Sequence, residues 1–150
     1  MDQPPTKQFY SWDEYFSLLE ELKSNINFEP DVVVSIGKGG SIPGVVLAEH
    51  YDTINLNFGV KSYTKHTQSC IEEYQTIDDK NISKKNVLLV DDLTDSGSTL
   101  TYVTKKLKRA GCGVLKTACL FLKDKSSYKP DYYVETIPSK TWIVQPWEKE

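Results

Sequence analysis

The stretch Val87-Leu88-Leu89-Val90-Asp91-Asp92-Leu93-Thr94-Asp95-Ser96-Gly97-Ser98-Thr99 decides the fold of this chain. Its four apolar residues, 87–90, predict a short buried strand of the kind found in parallel sheets. Apolar residues then recur at helical spacing from Leu100 to Leu107, and Gly111 marks the helix end. We therefore predict an α/β protein with a mostly parallel central sheet flanked by helices.

The loop between this strand and helix combines carboxylates with hydroxyl groups. Asp91 and Asp92 stand at the carboxyl end of the strand, where open α/β sheets bind their ligands. The hydroxyls and the glycine of residues 96–99, together with the N–H groups of a helix start, form a phosphate cradle. Because carboxylates repel phosphate, we expect them to face ribose hydroxyls or Mg²⁺. The predicted ligand is a sugar phosphate.

Two other loop types are disfavoured. The G-x-x-x-x-G-K-[ST] motif of P-loop proteins does not occur in the sequence. A receiver domain begins with a similar strand, but it needs a further acceptor aspartate and a lysine well downstream, and only residues 93–150 follow Asp92. An ordinary turn with acidic caps stays open, although it rarely concentrates so many aspartates and hydroxyls.

The rest of the chain predicts alternating strands and helices in one domain over residues 1–150. Ser11 and Glu14 form a capping box for a helix, and Ser41 is expected to cap a second helix with Pro43 in its first turn. The segment 64–85 is polar and poorly periodic. Further strands are predicted over residues 32–36, 53–58, 60–63, 115–122, 132–135 and 141–144.

Composition excludes several classes of function. The net charge is −3 and Arg109 is the sole arginine, which argues against a nucleic-acid partner. No apolar run is long enough to span a membrane. The three cysteines contain no C-x-x-C pair, so we expect reduced thiols and a cytoplasmic protein.

A second loop, Gly37-Lys38-Gly39-Gly40-Ser41, follows the strand predicted at 32–36 and opens a helix. A lysine among glycines at a helix start suits a second anionic group.

Residues 87–99 resemble the loop that binds 5-phosphoribosyl 1-pyrophosphate (PRPP) in type I phosphoribosyltransferases. Thr141 to Glu148 resembles the tail of bacterial xanthine-guanine phosphoribosyltransferases and of short archaeal relatives. The resemblance runs from Trp12 to Glu148 and is weak between about 64 and 85. It implies a type I fold with a small hood and a flexible lid loop. The implied reaction transfers 5-phosphoribose to N9 of a 6-oxopurine (guanine, xanthine or hypoxanthine), giving the nucleoside monophosphate and pyrophosphate in purine salvage.

The resemblance also implies roles for residues around PRPP. Asp91 and Asp92 would hold the ribose diol, with Asp92 at the Mg²⁺ ion. Lys38 and Gly39 would bind the pyrophosphate, through a cis peptide expected at Lys38-Gly39. Asp95 would be the general acid/base at purine N7. The residues implied for the 5-phosphate are Thr94, Asp95, Ser96, Gly97, Ser98 and Thr99.

The purine side is predicted from Asp95, Lys123, Trp142 and Ile143. The Lys123 ammonium can donate to a base O6 but accepts nothing, which favours 6-oxopurines over adenine. Trp142 offers a face for stacking, and Ile143 would contribute backbone groups in the resembling family. Residues 61–80 would form the lid that excludes water.

Two alternatives remain, and the assembly is a further expectation. The first is an enzyme that prefers hypoxanthine and guanine rather than xanthine and guanine, because few protein groups contact the purine 2-position, where these bases differ. A non-catalytic PRPP-binding regulator could use the same fold, but such proteins usually carry a DNA-binding domain or a basic face. We expect a homodimer or homotetramer that binds only small molecules.

Overall fold

The computed structural model describes residues 3–66 and 68–149 of the chain. Its elements, in chain order, are β1 (Thr6–Phe9), α1 (Trp12–Asn25), β2 (Val32–Gly37), α2 (Ser41–His50), β3 (Ile54–Lys65), β4 (Gln68–Gln75), a 3₁₀ turn (Asp79–Asn81), β5 (Val87–Thr94), α3 (Ser98–Arg109), β6 (Leu115–Lys123), β7 (Glu135–Ile137) and β8 (Thr141–Val144). None of these helices is long and apolar enough to cross a membrane.

The central sheet has six strands in the order β4-β3-β2-β5-β6-β7. Every neighbouring pair in it is parallel except β3 and β4, which form an antiparallel hairpin. This arrangement confirms the predicted α/β class with a mostly parallel sheet. β1 and β8 pair in parallel as a separate two-stranded sheet, which corresponds to the small hood.

Alternating side chains of the buried strands pack into two hydrophobic cores, one on each face of the sheet. Val33 and Leu88 pack with α1 and α2, while Val34 and Leu89 pack with α3. All four side chains have no exposed surface, as expected for parallel strands covered on both faces.

Chain direction across the sheet reverses between β2 and β5. From β2 the chain passes through α2 to β3 on one side, and from β5 it passes through α3 to β6 on the other. Open α/β sheets bind ligands in the crevice that such a switch point creates. The loops after β2 and β5 both open into this crevice.

The predicted elements need four corrections. Ser41 is the first residue of α2 and Gly40 is its cap, without a side-chain cap bond. The strands predicted at 53–58 and 60–63 form one strand, β3, with an irregular register between Gly59 and Val60. The polar and poorly periodic segment 64–85 contains β4, because strands with mostly polar side chains show no apolar periodicity. The strand predicted at 132–135 is shifted, with only a bridge at Tyr132 before β7.

Two predictions at helix ends are confirmed and one peptide assignment is wrong. Ser11 and Glu14 form the capping box of α1, and Gly111 has a positive φ of 85° just after α3. The cis peptide bond lies at Gly37-Lys38 and not at Lys38-Gly39. It falls directly at the end of β2, where Gly37 still pairs with Gly59 of β3.

Candidate active site

The loop after β5 forms a cavity at the start of α3. Gly97 caps the helix with a φ of 94°, and the first intrahelical bond runs from the Thr101 N–H to the Gly97 carbonyl. The cavity has a volume of about 160 Å³. It is lined by Ser62, Asp91, Leu93, Thr94, Asp95, Ser96, Gly97, Thr99 and Leu100. Unsatisfied N–H groups at a helix start and nearby hydroxyls suit a phosphate group.

The side chains predicted around the phosphate do not all face this cavity in the same way. Ser96 and Ser98 place their hydroxyl oxygens 3.0 Å apart, and Asp95 is exposed on the cavity wall. The Thr94 hydroxyl instead donates to the buried Cys119 sulfur at 3.2 Å. Burial raises the pKa of that thiol to about 12, so Cys119 stays protonated and belongs to the core.

A turn after β6 contacts residues 94–99, which we call the phosphate loop after the group that they suit. The sequence does not predict this contact. The Ser96 carbonyl accepts hydrogen bonds from the Ser127 N–H at 2.9 Å and from the Ser127 hydroxyl at 2.7 Å. A Cβ atom on Gly97 would lie 2.7 Å from both the backbone nitrogen and the Cβ of Tyr128. The loop therefore requires glycine at position 97 for its conformation and for its packing.

The two carboxylates at the end of β5 have different surroundings. Asp91 is 8% exposed, and burial together with the neighbouring Asp92 charge holds its pKa well above the usual range. Asp92 accepts from the Leu93 N–H at 2.8 Å through one oxygen and from the Gln145 amide at 3.0 Å through the other. Asp91 also accepts from the Asp92 N–H at 2.8 Å, but Asp92 is the carboxylate that is held at both of its oxygens.

The loop after β2 lies directly against Asp92. A Cβ atom on Gly39 would be 2.5 Å from an Asp92 carboxylate oxygen, so the absence of a side chain lets the two loops meet. The Lys38 side chain is exposed and lines a shallow cleft of about 450 Å³ with Trp147, Glu148 and Lys149. An exposed ammonium group is thus carried by the same loop whose Gly39 contacts Asp92.

The C-terminal tail closes this side of the crevice. The Trp147 ring packs edge-on against Tyr15 of α1, with 5.2 Å between ring centroids, and lies 6.1 Å from Trp12. Burial raises the pKa of the Glu148 carboxyl, and the charge of Asp92 adds to the shift. Aromatic packing on α1 therefore places the tail against Asp92 and Lys38.

The residues predicted for a base lie near the end of β6 and on β8. Lys123 is 6% exposed, and its ammonium donates to the backbone carbonyls of Ser139, at 3.3 Å, and of Thr141. Trp142 is 58% exposed, whereas the Ile143 side chain is 6% exposed and belongs to the core. Lys123 thus holds the start of β8 by hydrogen bonds. This strand carries the exposed Trp142 ring and the backbone groups of Ile143.

The hairpin of β3 and β4 stands beside the phosphate cavity. Ser62 lines the cavity, with its hydroxyl 3.0 Å from that of Thr99. Glu73 accepts from the Tyr102 hydroxyl at 2.5 Å and pairs with Lys106 at 3.0 Å. These contacts attach the hairpin to α3. Thr67, which belongs to the predicted lid, lies outside the described residues.

The donor set of the crevice is compatible with Mg²⁺ that is bound together with a phosphorylated ligand. Among residues 3–66 and 68–149, no group of three or more His, Cys, Asp and Glu side chains lies close enough together to hold a metal. Mg²⁺ is usually bound by one or two carboxylates together with substrate phosphates and waters. Asp92, with Asp91 beside it, matches such a set.

The predicted site residues fall into two groups, one at the switch point and the other at the end of β6 and on β8. One contains the carboxylate pair, the phosphate loop and Gly39, and the other contains Lys123 and Trp142. Gln145 and Ser127 were not predicted as site residues. Gln145 stands in the quoted tail motif, but its contact with Asp92 spans 53 positions in the sequence, and Ser127 has no local pattern.

Comparison with known proteins agrees with this geometry. Residues 6–150 match the model of the phosphoribosyl transferase domain family. A purine phosphoribosyltransferase from Pyrococcus horikoshii is 33% identical over 96% of this chain and 95% of that one, with a TM-score of 0.79. The xanthine-guanine-hypoxanthine phosphoribosyltransferase of Helicobacter pylori is 26% identical over 95% and 93%, with a TM-score of 0.76.

A third structure supports the fold alone. It is a hypothetical protein from Neisseria gonorrhoeae with bound ppGpp, 23% identical over 99% of this chain and 92% of that one, with a TM-score of 0.84. The family match covers nearly the whole chain, and the crevice carries the loops that the resemblance implied. The chain therefore belongs to the phosphoribosyl transferase family and is an enzyme of its type I group.

Proposed function

We propose that this enzyme transfers 5-phosphoribose from PRPP to N9 of a 6-oxopurine, giving the nucleoside monophosphate and pyrophosphate in purine salvage. The observation that carries the proposal is the contact between Gly39 and Asp92, which joins an anion-binding loop to the carboxylates and phosphate cavity at the switch point. The names of the purine enzymes from Pyrococcus and Helicobacter support the choice of base.

PRPP would extend across the crevice between the two loops. Its 5-phosphate would occupy the cavity at the start of α3, and its ribose diol would donate hydrogen bonds to Asp91 and Asp92. Lys38 and the Gly39 N–H would stabilise the negative charge that develops on the departing pyrophosphate. When bound with PRPP at Asp92, Mg²⁺ would neutralise part of that charge.

The purine would bind on the hood side of the crevice. The exposed Trp142 ring would stack on the base, backbone groups at Ile143 would contact its edge, and Lys123 would donate to O6. Attack by N9 forms the bond to the anomeric carbon while the bond to the pyrophosphate oxygen breaks. Asp95, on the cavity wall, would hold or move the proton at N7.

Steady-state kinetics with PRPP and four bases tests this proposal. We expect pyrophosphate release with guanine, xanthine or hypoxanthine and little with adenine. The order among the three 6-oxopurines decides between a xanthine-guanine and a hypoxanthine-guanine preference. Binding of PRPP without turnover of any base would favour the alternative, a non-catalytic PRPP-binding regulator.

Discrimination against adenine is expected to depend on Lys123. The 6-amino group of adenine would meet the ammonium donor to donor, which leaves the amino group and the ammonium N–H that faces it unpaired. Lys123→Ala should therefore reduce kcat/KM for guanine by about tenfold or more and that for adenine far less, since a hydrogen bond to a charged group is worth about 1.5–3 kcal/mol. Comparing the two bases in each protein separates recognition from lost stability, which lowers both. Equal turnover of adenine and guanine by the unaltered enzyme would contradict the assignment.

We also propose that residues 61–80, which include β4, act as the lid. PRPP with Mg²⁺ would bring negative charge close to Lys61, Lys65 and His66, which favours closure. Hydrogen exchange of the amides in 61–66 and 68–80 should slow on addition of PRPP and Mg²⁺, and less so without Mg²⁺. Amides of α1 serve as the internal control. Unchanged exchange in the hairpin would show that it is an ordinary surface hairpin.

We propose a homodimer or homotetramer acting in the cytoplasm. Residues 42–48 of α2 are all apolar, yet Val45 is 58% exposed, and Ile54 on adjacent β3 is 54% exposed. A helix that is hydrophobic on all sides is usually buried, so this face suits a second copy of the chain. The molecular mass in solution decides the assembly.

A further inference from the structure

The side chain of Gln145 holds the Asp92 carboxylate from the tail side of the crevice. Its amide nitrogen donates to an Asp92 oxygen at 3.0 Å, while the other oxygen of that carboxylate accepts from the Leu93 N–H at 2.8 Å. The Gly39 backbone lies against the same carboxylate. The position of Asp92 is thus determined on three sides, and among residues 3–66 and 68–149 Gln145 is the side chain that hydrogen-bonds it from outside the two loops.

Stability alone does not account for a glutamine at position 145. The residue is 2% exposed, and its Oε1 atom has no hydrogen-bond partner among the described residues. The buried hydroxyl of Tyr15 is likewise without a partner. Burying an unpaired polar atom costs about 1–3 kcal/mol, and an apolar side chain of the same shape avoids that cost. The contact with Asp92 is what the glutamine provides.

The tail is built so that Gln145 reaches this position. The Glu148 N–H donates to the Gln145 carbonyl at 3.0 Å and closes a turn directly after β8. Trp147, within the turn, is packed against Tyr15 of α1. A turn that is closed by the backbone and anchored by an indole leaves Gln145 little freedom to move.

We propose that Gln145 is a positioning residue for PRPP, which orients Asp92 toward the ribose diol and the metal ion. The inference rests on the proposed function and extends it to a residue that does not touch the reacting atoms. The Gln145 side chain contacts Asp92, which holds PRPP in the proposed function. Its loss should therefore weaken the binding of PRPP and leave the binding of the purine unaffected. This asymmetry distinguishes positioning from a general structural role.

The test compares Gln145→Met with Gln145→Glu. Methionine keeps the shape and removes the donor, so we expect KM for PRPP to rise about tenfold with KM for the purine unchanged. Glutamate places a further carboxylate against the carboxylate pair of Asp91 and Asp92, so the rise in KM for PRPP should be larger. Isothermal titration of PRPP with Mg²⁺ should show the same order of dissociation constants, independently of turnover.

Thr117→Val is the matched control for lost stability. Thr117 is 1% exposed and exchanges hydrogen bonds with Asp131 near the start of β6, at the end of the strands opposite to the crevice. This variant should lower Tm and leave both KM values unchanged. If KM for PRPP rises equally in Thr117→Val, or if the purine KM rises as much as the PRPP KM in Gln145→Met, the proposal is overturned. It is also overturned if Gln145→Met binds PRPP like the unaltered enzyme.

Assays of the unaltered enzyme show whether the proposed function fails, independently of the Gln145 variants. If the unaltered enzyme neither binds PRPP with Mg²⁺ nor releases pyrophosphate, the assignment of substrate is wrong whatever the variants do. If the unaltered enzyme binds PRPP but turns over no base, the titrations still decide the role of Gln145.

Discussion

Asp95→Asn is expected to lower kcat by on the order of 10²-fold or more while PRPP still binds, which is the loss typical of a removed general acid/base. Asp95 lies on the wall of the cavity at the start of α3, just beyond the end of β5, and is exposed. Asparagine keeps the size and the acceptor oxygen but cannot carry the proton at N7. Single-turnover kinetics and titration of PRPP measure the two effects separately.

Asp13→Asn is the matched control for this substitution. Asp13 is exposed in the first turn of α1, so the change removes the same charge without touching the crevice. We expect its kcat to equal that of the unaltered enzyme. An unchanged kcat in Asp95→Asn as well would remove Asp95 from the mechanism, and a loss of PRPP binding would assign it to the phosphate site instead.

Gly97→Ala should raise KM for PRPP by about tenfold to a hundredfold and also lower the free energy of unfolding. Position 97 has a φ of 94°, and a Cβ atom would lie 2.7 Å from the Tyr128 backbone nitrogen. A left-handed conformation costs a non-glycine residue about 1–2 kcal/mol, and overpacking costs about 1–3 kcal/mol more. If the loop shifts to relieve this strain, phosphate binding weakens by about tenfold for each 1.4 kcal/mol. PRPP titration and chemical denaturation measure both effects.

Gly111→Ala separates the effect of backbone strain from that of the phosphate site. Gly111 has a φ of 85°, but the nearest atom to an added Cβ is the Ser83 hydroxyl oxygen at 3.6 Å. The substitution imposes similar backbone strain beyond the opposite end of α3 without a clash. We expect a stability loss of about 1 kcal/mol and an unchanged KM for PRPP. An equal rise in KM in both variants would mean that the phosphate loop does not depend on Gly97.

Local patterns were sufficient for the parts of the site that are contiguous in the chain. The carboxylate pair and the phosphate loop lie within residues 91–99, and the strand and helix around them follow from apolar spacing. The capping box at Ser11 and the glycine after α3 were likewise predicted from a few neighbouring residues. In each case the interactions join residues a few positions apart, so the sequence pattern contains both partners.

Exposed strands were predicted least well. β1 is exposed along its whole length and β4 is largely polar in sequence, and no apolar alternation distinguishes them from loops. β1 exists because it pairs with β8 from the other end of the chain, with Lys7 opposite Trp142. Pairing energy between distant segments decides such strands, and a window of local sequence does not contain it.

By itself, the sequence determined the fold class and the placement of the carboxylate pair and the hydroxyl-rich loop between one strand and one helix, because periodicity and residue type act over short distances. The tertiary structure alone decided which groups surround each of these parts. It directed the Thr94 hydroxyl into the core, placed Gly39 on Asp92, and brought Gln145 to the same carboxylate. The physical reason is that close packing at the switch point depends on how β2, β5 and the tail converge, and these segments are far apart in the chain.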